Sequence, residues 1–170
     1  MAHEVIQTAI GSFPTPIAKP SSVFLDYLGQ VSASSTAQLI AVFMDEAKQN
    51  IGILFINNEG GFDSMFIPPS ALAADNALTG FTGGVAVVNI ESGMKISGKA
   101  IPLGVSMMHE LGHAKQYIEK PAWFENNYAA AMKVTKGVNQ PKLDIENDNL
   151  ARHEAPVLKE LGLPFRLKYD

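Results

Sequence analysis

Two of the chain's four histidines lie four positions apart in the stretch SMMHELGHAKQ, residues 106–116, and a glutamate follows the first of them. On a helix this spacing places His109 and His113 on the same face, so that one nitrogen of each ring can bind a single metal ion. Glu110 lies about 100° around the helix from His109. It is poorly placed to bind the same ion but can reach a water molecule beside it, as a general base does. The stretch predicts a catalytic site for one zinc ion.

The alternative is a pair of structural histidines in a core that satisfies them. The helix predicted around the motif is otherwise almost entirely apolar. Inside it, three unpaired polar side chains would each cost about 1–3 kcal/mol. A metal ion, its water and the groups that hold its ligands remove that cost, which favours the metal site.

Gly112 interrupts the same helix between the two histidines. A glycine inside a helix costs about 1 kcal/mol relative to alanine. We therefore expect another backbone, or the segment that carries the third metal ligand, to pack closely against Gly112.

A catalytic zinc ion needs a third protein ligand, and the chain has no cysteine to provide it. The longer motif HExxHxxGxxH is absent, because residue 119 is a glutamate and residue 116 is not a glycine. The remaining candidates are Glu119, Glu125, Asp144, Glu146, Asp148, His153 and Glu154. We favour Glu154, at the start of a helix that can run back across the site, and keep Glu146 as the alternative.

The elements that must position these residues follow an α+β order. Residues 34–50 predict an amphipathic helix capped by Ser34 or Ser35, and 84–90 predict a buried strand. Strands at 51–56 and 62–67 are predicted to form a hairpin. Helices are expected over 101–119, over 122–134 after Pro121, and over 143–162, where Pro156 should break or restart the helix near residues 153–155.

Composition narrows the class of protein. The 170 residues, 46% hydrophobic and 18% charged, suit one globular domain, which we place at residues 23–170 after an extended arm at 1–22. The net charge of −4 and the scattered lysines and arginines disfavour nucleic acid as a partner. Neither a secretory signal nor an apolar run long enough to span a membrane is recognisable.

From about residue 100 to the end, the chain resembles the effector zinc metallopeptidases of Gram-negative bacteria. These include NleD-like type III effectors and the metallopeptidase toxin domains of type VI spike (VgrG) and Rhs-like proteins. The resemblance lies in the HExxH helix and the tail HEAPVLKELGLPFRLKY. In that family an acidic residue precedes a short helix that ends in an E-L-G-x-P segment, followed by Arg and Tyr. The matching positions here are Glu154, then Glu160, Leu161, Gly162 and Pro164, then Arg166 and Tyr169.

The resemblance implies a zincin-like fold, with a small twisted antiparallel or mixed sheet packed on helices. It implies a zinc endopeptidase whose one zinc ion is bound by His109, His113 and Glu154. Such an enzyme would be delivered as a secreted effector or toxin to a host cytosol or to a target cell's periplasm. Its partners would be a protein or peptide substrate, a carrier protein or secretion apparatus, and an immunity protein. Alternatives are a zinc amidase acting on cell-wall peptides and a non-catalytic metal-binding interaction module.

Three further residues near the tail have two interpretations each. His153 would polarise a substrate carbonyl or cap a helix, and Tyr169 would stabilise an oxyanion or pack on the core. Arg166 would hold a substrate carboxylate or pair with Glu160.

Overall fold

Seven helices and six strands occupy the part of the chain that the computed structural model describes, residues 2–7, 22–56, 63–72, 80–91 and 94–169. The helices are α1 (Ser22–Gln30), α2 (Ser35–Glu46), α3 (Pro69–Leu72), α4 (Leu103–Glu119), α5 (Pro121–Ala131), α6 (Gln140–Asn149) and α7 (Ala155–Glu160). The strands are β1 (Ala2–Gln7), β2 (Ile51–Ile56), β3 (Met65–Ile67), β4 (Val85–Asn89), β5 (Lys95–Ile96) and β6 (Lys99–Ala100). Helices packed on a small mixed sheet confirm the α+β class.

The main sheet has four strands in the order β1-β2-β4-β3. Strand β2 runs parallel to both of its neighbours, β1 and β4, and β3 pairs antiparallel with β4. The predicted hairpin is therefore wrong, since Met65–Ile67 pairs with β4 and not with β2. The run IGILFI, with five of its six residues buried, suits a central parallel strand covered on both faces.

The segment predicted as an N-terminal arm contains strand β1, which adds to the edge of the sheet beside β2. The rest of that predicted arm, apart from Ser22 at the start of α1, lies outside the described residues.

The two faces of the sheet belong to separate apolar clusters, because side chains alternate along each strand. One face contacts the helices, and its buried residues are Ile51, Ile53, Phe55, Phe66, Ala86 and Val88. The other face, with Leu54, Val85 and Val87, packs against Leu72 and Phe81. Helix α4 lies on the first face, against β3 and β4.

Helix α4 is the central helix, and every residue from Gly104 to Ala114 is buried. The helix start has no side-chain cap of its own, but Gln30 of α1 accepts the Gly104 N–H at 2.9 Å. Because the polar residues in this stretch are buried, they need hydrogen-bond partners from other elements.

Glu160 ties the end of α7 to the start of α2. Its carboxylate accepts hydrogen bonds from the hydroxyls of Ser34 at 2.6 Å and Thr36 at 2.8 Å, and from the Thr36 N–H at 2.9 Å. These bonds, the one from Ser34 foremost, lower the pKa of Glu160 to about 2. Ser34 also caps α2, as predicted, by accepting the Ala37 N–H.

The segment 143–162 has the predicted restart, since a new helix, α7, begins at Ala155, directly before Pro156. Proline is tolerated because it lies in the first turn of α7, where its missing N–H is not needed. The irregularity comes earlier, as a π-helical turn at Leu150–Glu154 between α6 and α7. Such wider turns occur often at functional sites.

Among the described residues, no helix combines the length and apolar character that crossing a membrane would demand.

Candidate metal centre

His109 and His113 point to the same side of α4, as their spacing predicts. Their Nε2 atoms are 3.1 Å apart, and both residues are buried. The second ring packs edge-on against Phe124 of α5, with ring centroids 6.3 Å apart. The two ring nitrogens are therefore held toward a common point.

Helix α6 brings a carboxylate to that point. Glu146 Oε2 lies 3.3 Å from His109 Nε2 and 3.4 Å from His113 Nε2. One ligand atom from each of the three residues falls within 4.8 Å of the others, so the group could hold a metal ion. Asn139 positions the start of α6 by accepting the Lys142 N–H at 3.1 Å.

The other ring nitrogens are also held by oxygen acceptors. His109 Nδ1 lies 2.7 Å from Glu154 Oε2, and His113 Nδ1 lies 2.7 Å from Gln116 Oε1. With the protons on Nδ1, both Nε2 lone pairs face Glu146. Metal-binding histidines are commonly oriented by such acceptors, so this donor set fits a cation.

The charges around His109 favour positive charge at this place. Burial by itself lowers the pKa of His109, but hydrogen bonds to Glu146 and Glu154 outweigh it and raise that pKa well above 6.5. The pKa of Glu146 is lowered because contacts with His109 and His113 outweigh its burial. Without a metal ion, His109 can carry a proton beside Glu146, and a bound metal ion would take the place of that proton.

Glu154 occupies a different place from the one predicted for the third ligand. Its Oε2 contacts the Nδ1 side of His109, while Glu146, the alternative, lies on the Nε2 side. The geometry therefore replaces Glu154 by Glu146 in the group that faces a metal ion. The reason is tertiary: α6 crosses α4 at Glu146, and Glu154 lies at the end of the π-helical turn, behind the His109 ring.

The tail residues hold Glu154. Arg166 Nε donates to Glu154 Oε1 at 3.1 Å, and the Tyr169 hydroxyl donates to Oε2 at 2.8 Å. Arg166 thus pairs with Glu154, and Glu160, its predicted partner, binds the start of α2 instead. Burial and the Glu154 carboxylate raise the pKa of Tyr169, so its hydroxyl keeps its proton. In this arrangement the Tyr169 hydroxyl orients Glu154, although Tyr169 also lines the cavity described below.

Asn149 is the close neighbour predicted for Gly112. A Cβ atom at Gly112 would overlap Asn149 Oδ1 and lie 3.1 Å from His153 Cβ. Asn149 Nδ2 donates to the His109 carbonyl at 2.9 Å, and its Oδ1 faces His153 Nδ1 at 2.9 Å. Burial lowers the pKa of His153 to about 4, so it stays neutral behind the helix, away from the cavity.

We expect Gly112→Ala to lower the free energy of unfolding by about 1–3 kcal/mol, the usual cost of overpacking. The added methyl group must displace Asn149 Oδ1, which pairs with His153 Nδ1. Alanine's better helix propensity offsets only part of this loss. Urea unfolding measures the change. Gly29→Ala on α1 is the control, because a Cβ there meets nothing within 4 Å, and a drop of equal size in that variant would contradict the explanation.

Gln116 and Asn149 are site residues that the sequence analysis missed. Gln116 Nε2 donates to Asp148 Oδ2 at 2.7 Å and to the Ile145 carbonyl at 3.0 Å, so it fastens α6 to α4 while holding His113. The available signal was spacing, since Gln116 follows His113 by three positions and Asn149 follows Glu146 by three.

A cavity of about 770 Å³ opens over the candidate metal centre, and Glu110 lies in its wall together with His109 and Glu146. Glu110 is 4% exposed. Its burial raises its pKa, and the nearby histidines offset this only in part. A carboxyl group with a raised pKa beside a cavity is suited to accept a proton and give it up again.

The rim of the cavity carries both charged and apolar side chains. Lys95, Lys142 and Asp63 are exposed residues of its lining, which also includes Met94 and Val138. The volume is that of a typical small-ligand or peptide-side-chain site. The centre is thus buried at the base of an accessible cleft.

No protein-family model matches this chain, and neither curated proteins nor solved structures give a match. What the site does must therefore be inferred from its own chemistry.

Proposed function

We propose that this chain is a zinc-dependent metallopeptidase with a zincin-like active-site helix. The observation that carries the proposal is the meeting of His109 Nε2, His113 Nε2 and a Glu146 oxygen in one group, with Glu110 beside them in the same cavity wall. Two histidines and a glutamate are the ligand set of several zinc peptidases. A purely structural site has no use for the neighbouring base.

The donor set favours zinc over magnesium and calcium. Two imidazole nitrogens and one carboxylate suit zinc, whereas magnesium and calcium prefer oxygen ligands alone. Three protein ligands leave a further position for water or substrate, as catalytic zinc sites require. Zinc held by these residues would act as a Lewis acid and make a water molecule acidic near neutral pH.

The chain's own residues supply the proton transfers. Glu110 accepts a proton from a water molecule in the cavity as the water oxygen adds to the carbonyl carbon of a peptide bond. Glu110 then gives that proton to the amide nitrogen, the C–N bond breaks, and a carboxylic acid and an amine leave.

Glu154 and Gln116 keep the two histidines in the tautomer that this function needs. Each accepts a hydrogen bond at Nδ1, which leaves Nε2 free to bind the metal. Arg166 and Tyr169 then orient Glu154. The tail that resembles bacterial effectors is thus part of the site, which supports a role for the chain as a secreted bacterial effector or toxin domain that cleaves a protein.

The test is metal analysis combined with a peptide library. The full chain, supplied with zinc and then dialysed, is expected to retain about one zinc ion and to cleave members of a mixed peptide library, as measured by mass spectrometry. Removing zinc with a chelator should abolish cleavage, and zinc but not magnesium should restore it. A chain that binds far less than one zinc ion, or cleavage that survives the chelator, would contradict the proposal. Zinc binding without cleavage would indicate a non-catalytic module.

A further inference from the structure

Ser106 is a polar residue of the cavity wall that the proposed mechanism does not use. It lies on α4, three residues before His109 and four before Glu110, and lines the same cavity. It is 4% exposed. Within the part of the chain that the structure describes, its Oγ is the single buried side-chain oxygen or nitrogen atom that has no hydrogen-bond partner.

A buried hydroxyl without a partner is costly. His109, one turn further along the helix, has contacts at both ring nitrogens. Rotation about the Cα–Cβ bond of Ser106 moves its Oγ among three staggered positions. Since the residue lines the cavity, a molecule bound there can supply a partner.

The position of Ser106 relative to Glu110 indicates which part of a substrate it would meet. Glu110 gives its proton to the nitrogen of the broken amide, so the residue that contributes this nitrogen must lie beside Glu110. Ser106 precedes Glu110 by about one helical turn, or roughly 5–6 Å along α4. A substrate placed in this way would bring the side chain of its leaving-amine residue near Ser106.

We propose that Ser106 determines substrate specificity by hydrogen-bonding a polar side chain on the residue that supplies the leaving amine. The proposal rests on the proposed function. It assigns to the site a class of substrate, peptides with serine, threonine or asparagine directly after the cleaved bond. An apolar side chain at that position would leave the Ser106 hydroxyl unpaired and would bind less tightly.

The experiment compares two zinc-chelating hydroxamates in which the zinc-binding group precedes the peptide, so that the first side chain after it occupies the leaving-amine position. The two probes are identical except that this side chain is that of threonine or of valine. These side chains have nearly the same shape and differ by one hydroxyl group. Dissociation constants are measured by calorimetry with the zinc-loaded chain. We expect the threonine probe to bind about fivefold more tightly than the valine probe, the effect of one ordinary hydrogen bond.

Ser106→Ala should reduce this ratio to about one, with zinc content unchanged. Ser32→Ala is the matched control, because the Ser32 hydroxyl donates to the Gly29 carbonyl on the surface, and it should keep the fivefold ratio. If zinc-dependent binding persists but the ratio is the same in Ser106→Ala, the inference is overturned and the proposed function stands. If neither probe binds the zinc-loaded chain, the proposed function is overturned and the inference with it.

Discussion

Replacing Glu110 by glutamine is expected to lower kcat/KM for peptide hydrolysis by about 10²- to 10⁴-fold, the usual contribution of a general base. Glutamine has nearly the same shape as glutamate but cannot accept a proton from water. Because Glu110 is not in the group of ligand atoms, the variant should still bind zinc as the parent chain does. Peptide cleavage and zinc content are measured on the same preparation.

Glu119→Gln provides the control for this variant. Glu119 lies at the other end of α4, where it pairs with Lys115 and with Arg152 on the surface. Its substitution removes one carboxylate from the same helix and should leave cleavage within about twofold, as expected for a surface site outside the cavity. Peptidase activity that persists in Glu110→Gln would exclude Glu110 as the base.

The second large effect concerns the third metal ligand. Glu146→Gln should reduce zinc affinity by well over 100-fold, because it removes the charge of an atom that faces both Nε2 nitrogens. Glu154→Gln should reduce it by about 10- to 100-fold, the range for groups that hold a ligand in place. Competition with a chromophoric chelator at fixed pH measures both affinities.

Glu160→Gln controls for the loss of one negative charge, since Glu160 lies at the start of α2 and outside the centre. Its zinc affinity should match that of the unaltered chain. If Glu154→Gln loses far more affinity than Glu146→Gln, Glu154 is the ligand after all. The pair of variants thus decides between the residue favoured by sequence and the one favoured by geometry.

Several elements could be predicted because their signals are local. The cap at Ser34, the helix that carries the histidines and the buried strand at β4 each follow from a few neighbouring residues. Strand pairing is not local, and there the prediction was wrong. Strand β2 lies between β1 and β4, and β3 follows β2 in the chain without pairing with it. Short apolar runs do not encode their partners.

The packing around Gly112 shows what local sequence can predict and what it cannot. The cost of a glycine inside a helix predicted that something packs there, and the structure confirms it with Asn149. Nothing in the local sequence identified the neighbour, because Asn149 belongs to α6 and reaches Gly112 through helix packing. The π-helical turn that follows Asn149 has no recognised sequence signal in this segment.

By itself, the sequence determined the part of the site that lies on α4. The four-residue spacing of His109 and His113 places both rings on one face of any helix, and the adjacent Glu110 must then point beside them. Only the tertiary structure decided what completes the group. Glu146 and Glu154 are eight positions apart on a nearly continuous helical segment, and both reach His109, one at each ring nitrogen. The packing of α6 on α4 places Glu146 at Nε2 of the His109 ring. The π-helical turn that follows α6 then brings Glu154 to Nδ1, on the opposite side of the ring.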